Sequence, residues 1–252
     1  RVRSSAASDV YKRQDDAARE ADNFAVLLSQ CQTELDTTSD SITDAEALAL
    51  EYEKQIEQEM LERQRREMEA LEAARKALFS LPDDPHNWTW NVSWWSDPVF
   101  LGKYPEEGLQ KYEKYLPKIT DDDMKLISEP IDIYGQNIYN GQCIRMGKDG
   151  HPEYVRRYEG FPKTAIDWPV TPECLNWGPR FLYERYKTPI YITENGMSCH
   201  DVVSLDGKVH DPNRIDFLAR YLDELKKAAT VADIRGYFQW SLMDNFEWSK
   251  GY

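Results

Sequence analysis

The protein has 252 residues, a formal net charge of −14 at pH 7 and 41% hydrophobic residues, which is enough for one sizeable core. No apolar stretch approaches the roughly 20 residues that span a bilayer, and we expect no secretory signal. The acidic net charge argues against nucleic acid or a membrane as partner. The cysteines (Cys31, Cys143, Cys174 and Cys199) are too widely spaced for a zinc site or a disulfide framework, which predicts a reducing, cytoplasmic location.

The first 80 residues differ from the rest of the chain. They contain no glycine and no proline, and every tryptophan lies at or after Trp88, so this part lacks the turn residues and large aromatic side chains of a compact fold. Residues 1–14 are predicted to be a non-native or disordered tail, and residues 15–80 a charged helical segment. Residues 81–252 have the composition of a globular domain.

A long helix is predicted over residues 44–79. Leu48, Tyr52, Ile56 and Met60 recur every four residues among strong helix formers, but the apolar stripe is narrow. Two interpretations stay open at this point: a coiled-coil or partner helix, or a solvated helix that lies against a larger body.

Strands and helices alternate in the second half of the chain. An aromatic segment at residues 90–105 is predicted to be a loop, and a short capped helix follows at residues 121–127. The later elements, in chain order, are a strand at 131–139, a helix at 175–186, a strand at 188–193, a helix at 214–229 and a strand at 234–242. Such alternation predicts an α/β fold with parallel strands.

Polar and aromatic side chains follow all three predicted strands. Because functional groups of parallel α/β folds gather at the carboxyl ends of strands, we expect these side chains to form one site. They are Asn137 and Tyr139 after the first strand, Glu194 after the second, and Trp240, Glu247 and Trp248 after the third. Aromatic rings with carboxylates and amides suit a sugar, whose C–H face stacks on a ring while its hydroxyls form hydrogen bonds.

Five segments carry a specific resemblance to a known family. They are DPVFLGKYP (97–105), DIYGQNIYNG (132–141), YITENG (191–196), KVHDPNRIDFLARYL (208–222) and WSLMDNFEW (240–248). In this order and spacing they resemble glycoside hydrolase family one, the β-glucosidase family, over roughly residues 90–252. The resemblance implies an α/β fold that is part of a (β/α)8 TIM barrel, namely its last three strands and their helices, preceded by the long charged helix.

The resemblance also implies a role for each candidate site residue in a retaining β-glucosidase. Glu194 matches the catalytic nucleophile, and Tyr139 matches the tyrosine that donates a hydrogen bond to it. Asn137 would support the site by hydrogen bonding. Trp240 matches the platform under the sugar, and Glu247 the residue that binds its 4- and 6-hydroxyls.

Trp248 matches a residue that donates its indole N–H to a neighbouring sugar hydroxyl. The expected substrates are unphosphorylated β-glucosides or short cello-oligosaccharides, because a carboxylate at position 247 would repel a 6-phosphate. No cofactor and no metal are expected, and the oligomeric state stays open.

A proton donor is missing from the sequence. The family's donor lies in an Asn-Glu-Pro motif, which this sequence lacks, and Glu129 of Ser-Glu-Pro aligns with a different position. The sequence therefore predicts a C-terminal fragment of a β-glucosidase that is inactive alone, although a thioglucosidase, which needs no such carboxylate, stays open. The alternative outside enzymes is a non-catalytic interaction protein that uses its long helix and retains a degenerate barrel.

Overall fold

In this computed structural model the structure describes residues 7–35, 42–81 and 91–251. The helices are α1 (Ala7–Leu35), α2 (Ile42–Phe79), α3 (Val92–Leu101), α4 (Glu106–Tyr112), α5 (Asp121–Ile127), α6 (Cys174–Tyr186) and α7 (Pro212–Ala228). The strands are β1 (Tyr134–Asn137), β2 (Ile144–Met146), β3 (Pro152–Tyr154), β4 (Ile190–Asn195) and β5 (Ile234–Gln239). Within the described ranges, no helix is both long enough and apolar enough to cross a membrane.

The central sheet consists of three parallel strands in the order β1–β4–β5. The predicted strands at 131–139, 188–193 and 234–242 are confirmed as strands, and each is shorter or slightly shifted in the structure. Both connections contain one of the two predicted helices, α6 and α7, as parallel strands require. The α/β fold with parallel strands is confirmed, and the described residues do not close into a barrel.

The hydrophobic core lies between this sheet and the helices on its outer face. Ile190 and Ile192 of β4 are fully buried against Leu182 of α6 and against Phe217 and Tyr221 of α7. Because β4 is the central strand and its isoleucines are β-branched, this packing fixes the strand that the site depends on.

Helix α2 has two different parts. Its middle turns are covered by charged side chains, with ion pairs such as that of Arg63 with Glu67 at 3.0 Å. Its last turns bury Ala70, Ala74 and Leu78, and Ala74 and Leu78 belong to the hydrophobic core. The spacing of these three residues by four places them on one side of the helix, so the end of α2 packs into the hydrophobic core.

The aromatic segment at residues 90–105 was expected to be a loop, and this expectation was wrong for Val92–Leu101, which form α3. The buried Asn91 caps the helix, because its side chain accepts a hydrogen bond from the Trp94 backbone N–H at 2.8 Å. Helix propensity did not predict α3, because Pro98 lies inside it and because it contains a run of bulky residues. The capped helix at 121–127 is confirmed, with a capping box between Thr120 and Asp123.

An antiparallel hairpin of β2 and β3, absent from the sequence prediction, branches off after β1 and packs against α2. An ionic cluster around a buried carboxylate joins α3 to α6. Asp97, only 4% exposed, accepts hydrogen bonds from Arg185 at 2.6 and 2.9 Å and from the Tyr186 hydroxyl at 2.8 Å. These contacts hold α6 in place at a distance from the carboxyl ends of the strands.

Candidate active site

The carboxyl ends of the three parallel strands meet at one edge of the sheet. In the strand register Asn137 of β1 lies opposite Glu194 of β4, and Asn195 lies opposite Gln239 of β5. The register is irregular next to Glu194 on both sides of β4. Such irregularities bend a strand and change the direction in which a side chain points, and they are common beside active sites.

Tyr139 and Glu194 form the central contact of this edge. The Tyr139 hydroxyl donates a hydrogen bond to Glu194 Oε2 at 2.6 Å, a short distance typical of a donor to a charged oxygen. Burial raises the pKa of Tyr139 well above its ordinary value, and the hydrogen bond to Glu194 and the charges of Glu194 and Glu247 raise it further. The hydroxyl therefore keeps its proton at neutral pH and remains the donor in this hydrogen bond.

The fully buried Asn195 joins the neighbouring strands directly after Glu194. Its amide Nδ2 donates to the backbone carbonyl of Ile138 at 2.8 Å, and its Oδ1 accepts from the Tyr237 hydroxyl at 2.9 Å. The Ile138 backbone N–H donates to the Glu194 carbonyl at 3.0 Å. The backbone on both sides of the Glu194 side chain is thus fixed by buried hydrogen bonds, which restricts where the carboxylate can lie.

The chain after β5 approaches the chain after β4 very closely. The Trp240 backbone N–H donates to the Asn195 carbonyl at 2.8 Å. A Cβ atom added to Gly196 would lie 1.9 Å from the Trp240 carbonyl oxygen, so no other residue fits at position 196 without moving the backbone. The glycine of the TENG segment therefore allows Trp240 to reach the site.

A cleft of about 320 Å³ opens at this edge of the sheet. Three of the predicted site residues, Tyr139, Trp240 and Glu247, line it. Glu247 is half-buried, and Asn245 Nδ2 donates to its Oε2 at 3.3 Å. Glu194 is connected to the cleft through Tyr139, so four of the six predicted residues come together.

Asn137 and Trp248 lie apart from the cleft. Asn137 is exposed at the end of β1, and its Oδ1 accepts a hydrogen bond from the Thr193 hydroxyl at 2.7 Å. Trp248 is 83% exposed at the start of a short 3₁₀ helix, Trp248–Lys250. In this arrangement neither side chain is part of the wall around Tyr139.

Trp168 is a cleft residue that the sequence reasoning missed. Its ring packs edge-to-face on Tyr139 with the ring centroids 5.1 Å apart, and it lines the same cleft. The loop that carries it is fixed to the chain after β4, because the backbone N–H groups of Ala165 and Ile166 donate to Ser198 at 3.1 and 3.2 Å. The one feature of the sequence that could have indicated this cleft residue was a tryptophan in the polar, proline-flanked segment 164–169.

The cleft is lined by charges of both signs. Asp244 and Glu247 are its acidic side chains, and Arg214 and Lys250 are its basic ones. Within the described ranges, no group of three histidine, cysteine or acidic residues is placed to hold a metal ion. The chemistry that this geometry offers is that of a carboxylate held by a phenol donor beside an aromatic wall.

Comparisons with known proteins agree on one family. The sequence model of Glycosyl hydrolase family 1 matches residues 44–252, a range that includes most of α2. Beta-glucosidase A of Thermotoga maritima is 42% identical over 158 residues, which cover 62% of this chain and 35% of the relative. The 1,4-beta-D-glucan glucohydrolase of Thermotoga neapolitana is 39% identical, with 62% and 37% covered.

A solved structure of the family 1 β-glucosidase from Thermotoga maritima in complex with isofagomine lactam superposes with a TM-score of 0.58. It is 39% identical, and the superposition covers 73% of this chain and 40% of that one. The chain thus spans between a third and two-fifths of the length of these relatives. The structural match supports a partial TIM-barrel-like α/β fold.

The close approach at Gly196 predicts that Gly196→Ala is strongly destabilising. The added methyl group meets a backbone carbonyl that cannot rotate away, so we expect a loss of about 3 kcal/mol in the free energy of unfolding, measured by urea denaturation. Gly135→Ala is the matched control, because its added methyl meets only the Thr193 side chain, at 3.1 Å, and is expected to cost less than about 1 kcal/mol. Equal losses for the two variants would contradict the close approach.

Proposed function

The chain belongs to glycosyl hydrolase family 1, and on that basis we propose that it carries the nucleophile side of a retaining β-glucosidase active site. The observation that supports this most strongly is the hydrogen bond from Tyr139 to Glu194 at the carboxyl end of β4. A carboxylate oriented by a phenol donor, beside a cleft with aromatic walls, is suited to attack the anomeric carbon of a sugar.

In the proposed first step a Glu194 oxygen attacks C1 of a β-glucoside. A C1–O bond to the enzyme forms as the bond to the leaving group breaks, and the leaving oxygen takes the electron pair and a proton. The hydrogen bond from Tyr139 holds the carboxylate in position before the attack. Water then hydrolyses the glucosyl-enzyme and releases glucose with retained configuration.

Trp240 and Glu247 are the proposed sugar-binding residues in the cleft. The partly exposed Trp240 ring offers an apolar surface for the C–H face of the sugar, and the Glu247 carboxylate accepts from its hydroxyls. Asn137 and Trp248 lie outside the cleft wall, so we propose that they contact sugar only after the surrounding loops rearrange. The proposed substrates are β-glucosides, with short cello-oligosaccharides as a narrower possibility.

The proposed active site lacks a proton donor for the leaving group. Retaining hydrolysis needs a second carboxylate about 5 Å from the nucleophile, and residues 1–252 contain no Asn-Glu-Pro motif. Both acidic residues that line the cleft come from the segment after β5, where Glu247 already has a proposed binding role. We therefore propose that residues 1–252 form the C-terminal part of a β-glucosidase and do not hydrolyse unactivated glucosides alone.

The alternative of a non-catalytic interaction protein is not favoured, because the family match includes residues 44–79 as well as the strands. The boundary between residues 80 and 81 stays a prediction. The cytoplasmic location is likewise a proposal, and it rests on the wide spacing of the four cysteines, which does not fit a disulfide framework.

Covalent labelling tests the nucleophile without a proton donor. With 2-deoxy-2-fluoro-β-D-glucosyl fluoride, the leaving fluoride is a stable anion, so we expect one sugar on the Glu194 peptide by mass spectrometry. Glu194→Gln should abolish the label, whereas Glu184→Gln, which changes an exposed carboxylate on α6, should not. Wild-type chain that stays unlabelled, or a label on another residue, would refute the assignment. Turnover of cellobiose, whose leaving alcohol needs a proton, would refute the proposal that the proton donor is absent.

Discrimination against phosphorylated sugars is expected to depend on Glu247. In Glu247→Ser, the ratio of labelling rates for the unphosphorylated and the 6-phosphorylated fluorosugar should fall by about tenfold, because a like charge near the phosphate is removed. Asp244→Ser removes the other carboxylate that lines the cleft and is the matched control, which should change the ratio much less. Equal changes in the two variants would assign the effect to net charge instead of to Glu247.

A further inference from the structure

Tyr221 of α7 lies in the hydrophobic core and does not line the cleft, yet it contacts the segment that carries Tyr139. Its side chain is fully buried and stacks on Phe217 with the ring centroids 3.7 Å apart. Its hydroxyl donates to the Tyr139 backbone carbonyl at 3.2 Å and accepts from the Thr171 backbone N–H at 2.7 Å. Hydrophobic packing alone would be satisfied by phenylalanine, so the hydroxyl needs a separate explanation.

These bonds continue into a buried hydrogen-bond chain, formed by Gly141, Thr171, Tyr221 and Tyr139. The Gly141 backbone N–H donates to the Thr171 Oγ1 at 2.8 Å, so the peptide groups on both sides of Asn140 are bound to the same pair of side chains. The segment immediately after β1 is thereby fixed at two points. Because Tyr139 leaves this segment toward Glu194, its backbone position determines where its hydroxyl lies.

The same chain fixes the second neighbour of Tyr139. Thr171 lies three residues after Trp168, whose ring packs against Tyr139 with the centroids 5.1 Å apart. One buried hydroxyl therefore ties together the backbone under Tyr139 and the loop beside its ring. Burial raises the pKa of Tyr221 well above its ordinary value, which keeps the proton that is donated to the Tyr139 carbonyl.

We propose that Tyr221 is a positioning residue for the nucleophile: through the buried hydrogen-bond chain it holds Tyr139 where its hydroxyl reaches Glu194. The proposal rests on the proposed role of Glu194. Removing the hydroxyl leaves the Tyr139 carbonyl and the Thr171 N–H without this partner, so the segment after β1 can shift. A shift of a few tenths of an ångström suffices to lengthen a hydrogen bond of 2.6 Å.

The direct test is the hydrogen bond of Tyr139, measured by NMR in the full chain with 13Cζ-labelled tyrosine. Exchange of the Tyr139 hydroxyl proton with solvent should be about tenfold faster in Tyr221→Phe than in the wild type, because the donor is less firmly placed. Tyr186→Phe is the matched control. It also removes a buried tyrosine hydroxyl, but one that donates to Asp97 of α3. The exchange rate of the Tyr139 hydroxyl proton should therefore stay unchanged in this variant.

A second readout separates positioning from a general loss of stability. In Tyr221→Phe the maximal rate of labelling of Glu194 by the fluorosugar should fall about tenfold while the half-saturating concentration changes little. Thr171→Val removes the hydrogen-bond acceptor of the Gly141 N–H in the buried hydrogen-bond chain, and it should lower the maximal labelling rate as well. This variant tests the proposal if the Tyr221→Phe protein does not fold.

The outcomes are distinguishable. An unchanged Tyr139 exchange rate in Tyr221→Phe overturns the positioning role, and so does an equal acceleration in Tyr186→Phe, which would indicate general loosening. A wild-type chain that shows the slow Tyr139 exchange but takes up no fluorosugar overturns the proposed function, while the exchange rates still decide whether Tyr221 positions Tyr139.

Discussion

The site depends on one constraint, the parallel alignment of three strands whose carboxyl ends lie at the same edge. This alignment brings Tyr139, which follows β1, within 2.6 Å of Glu194 on β4, although 54 residues separate them in the chain. The remaining features maintain that contact. Asn195 joins the strand ends, Gly196 leaves room for the Trp240 carbonyl, and Tyr221 fixes the backbone under Tyr139.

Much of this arrangement could be predicted from the sequence, because its determinants are local. Runs of β-branched and aromatic residues mark the three strands, and the apolar periodicity marks α7. The order of strands and helices then implies parallel pairing, and the polar residues after each strand identify Tyr139, Glu194, Trp240 and Glu247 as neighbours. The TENG segment, with the motifs around it, was sufficient to indicate the family.

The parts that could not be predicted depend on contacts between distant segments. Helix α3 has poor intrinsic propensity, and its Asp97 is buried only because Arg185 and Tyr186 of α6 supply partners. Trp168 enters the cleft because its loop is bound to Ser198, which lies 30 residues later in the chain. Trp248 illustrates the opposite case, since matching a motif does not by itself place a side chain in the cleft.

The central claim is that Glu194 presents a negative charge to the position of a sugar's C1, and equilibrium binding of deoxynojirimycin tests it most directly. The protonated nitrogen of this sugar mimic replaces the ring oxygen next to C1 and pairs with a carboxylate that faces C1, and binding requires no proton donor. By isothermal titration calorimetry at pH 7, Glu194→Gln should bind at least about tenfold more weakly than the wild type, because one charge-assisted contact is lost. Equal affinity of the two proteins would contradict the account.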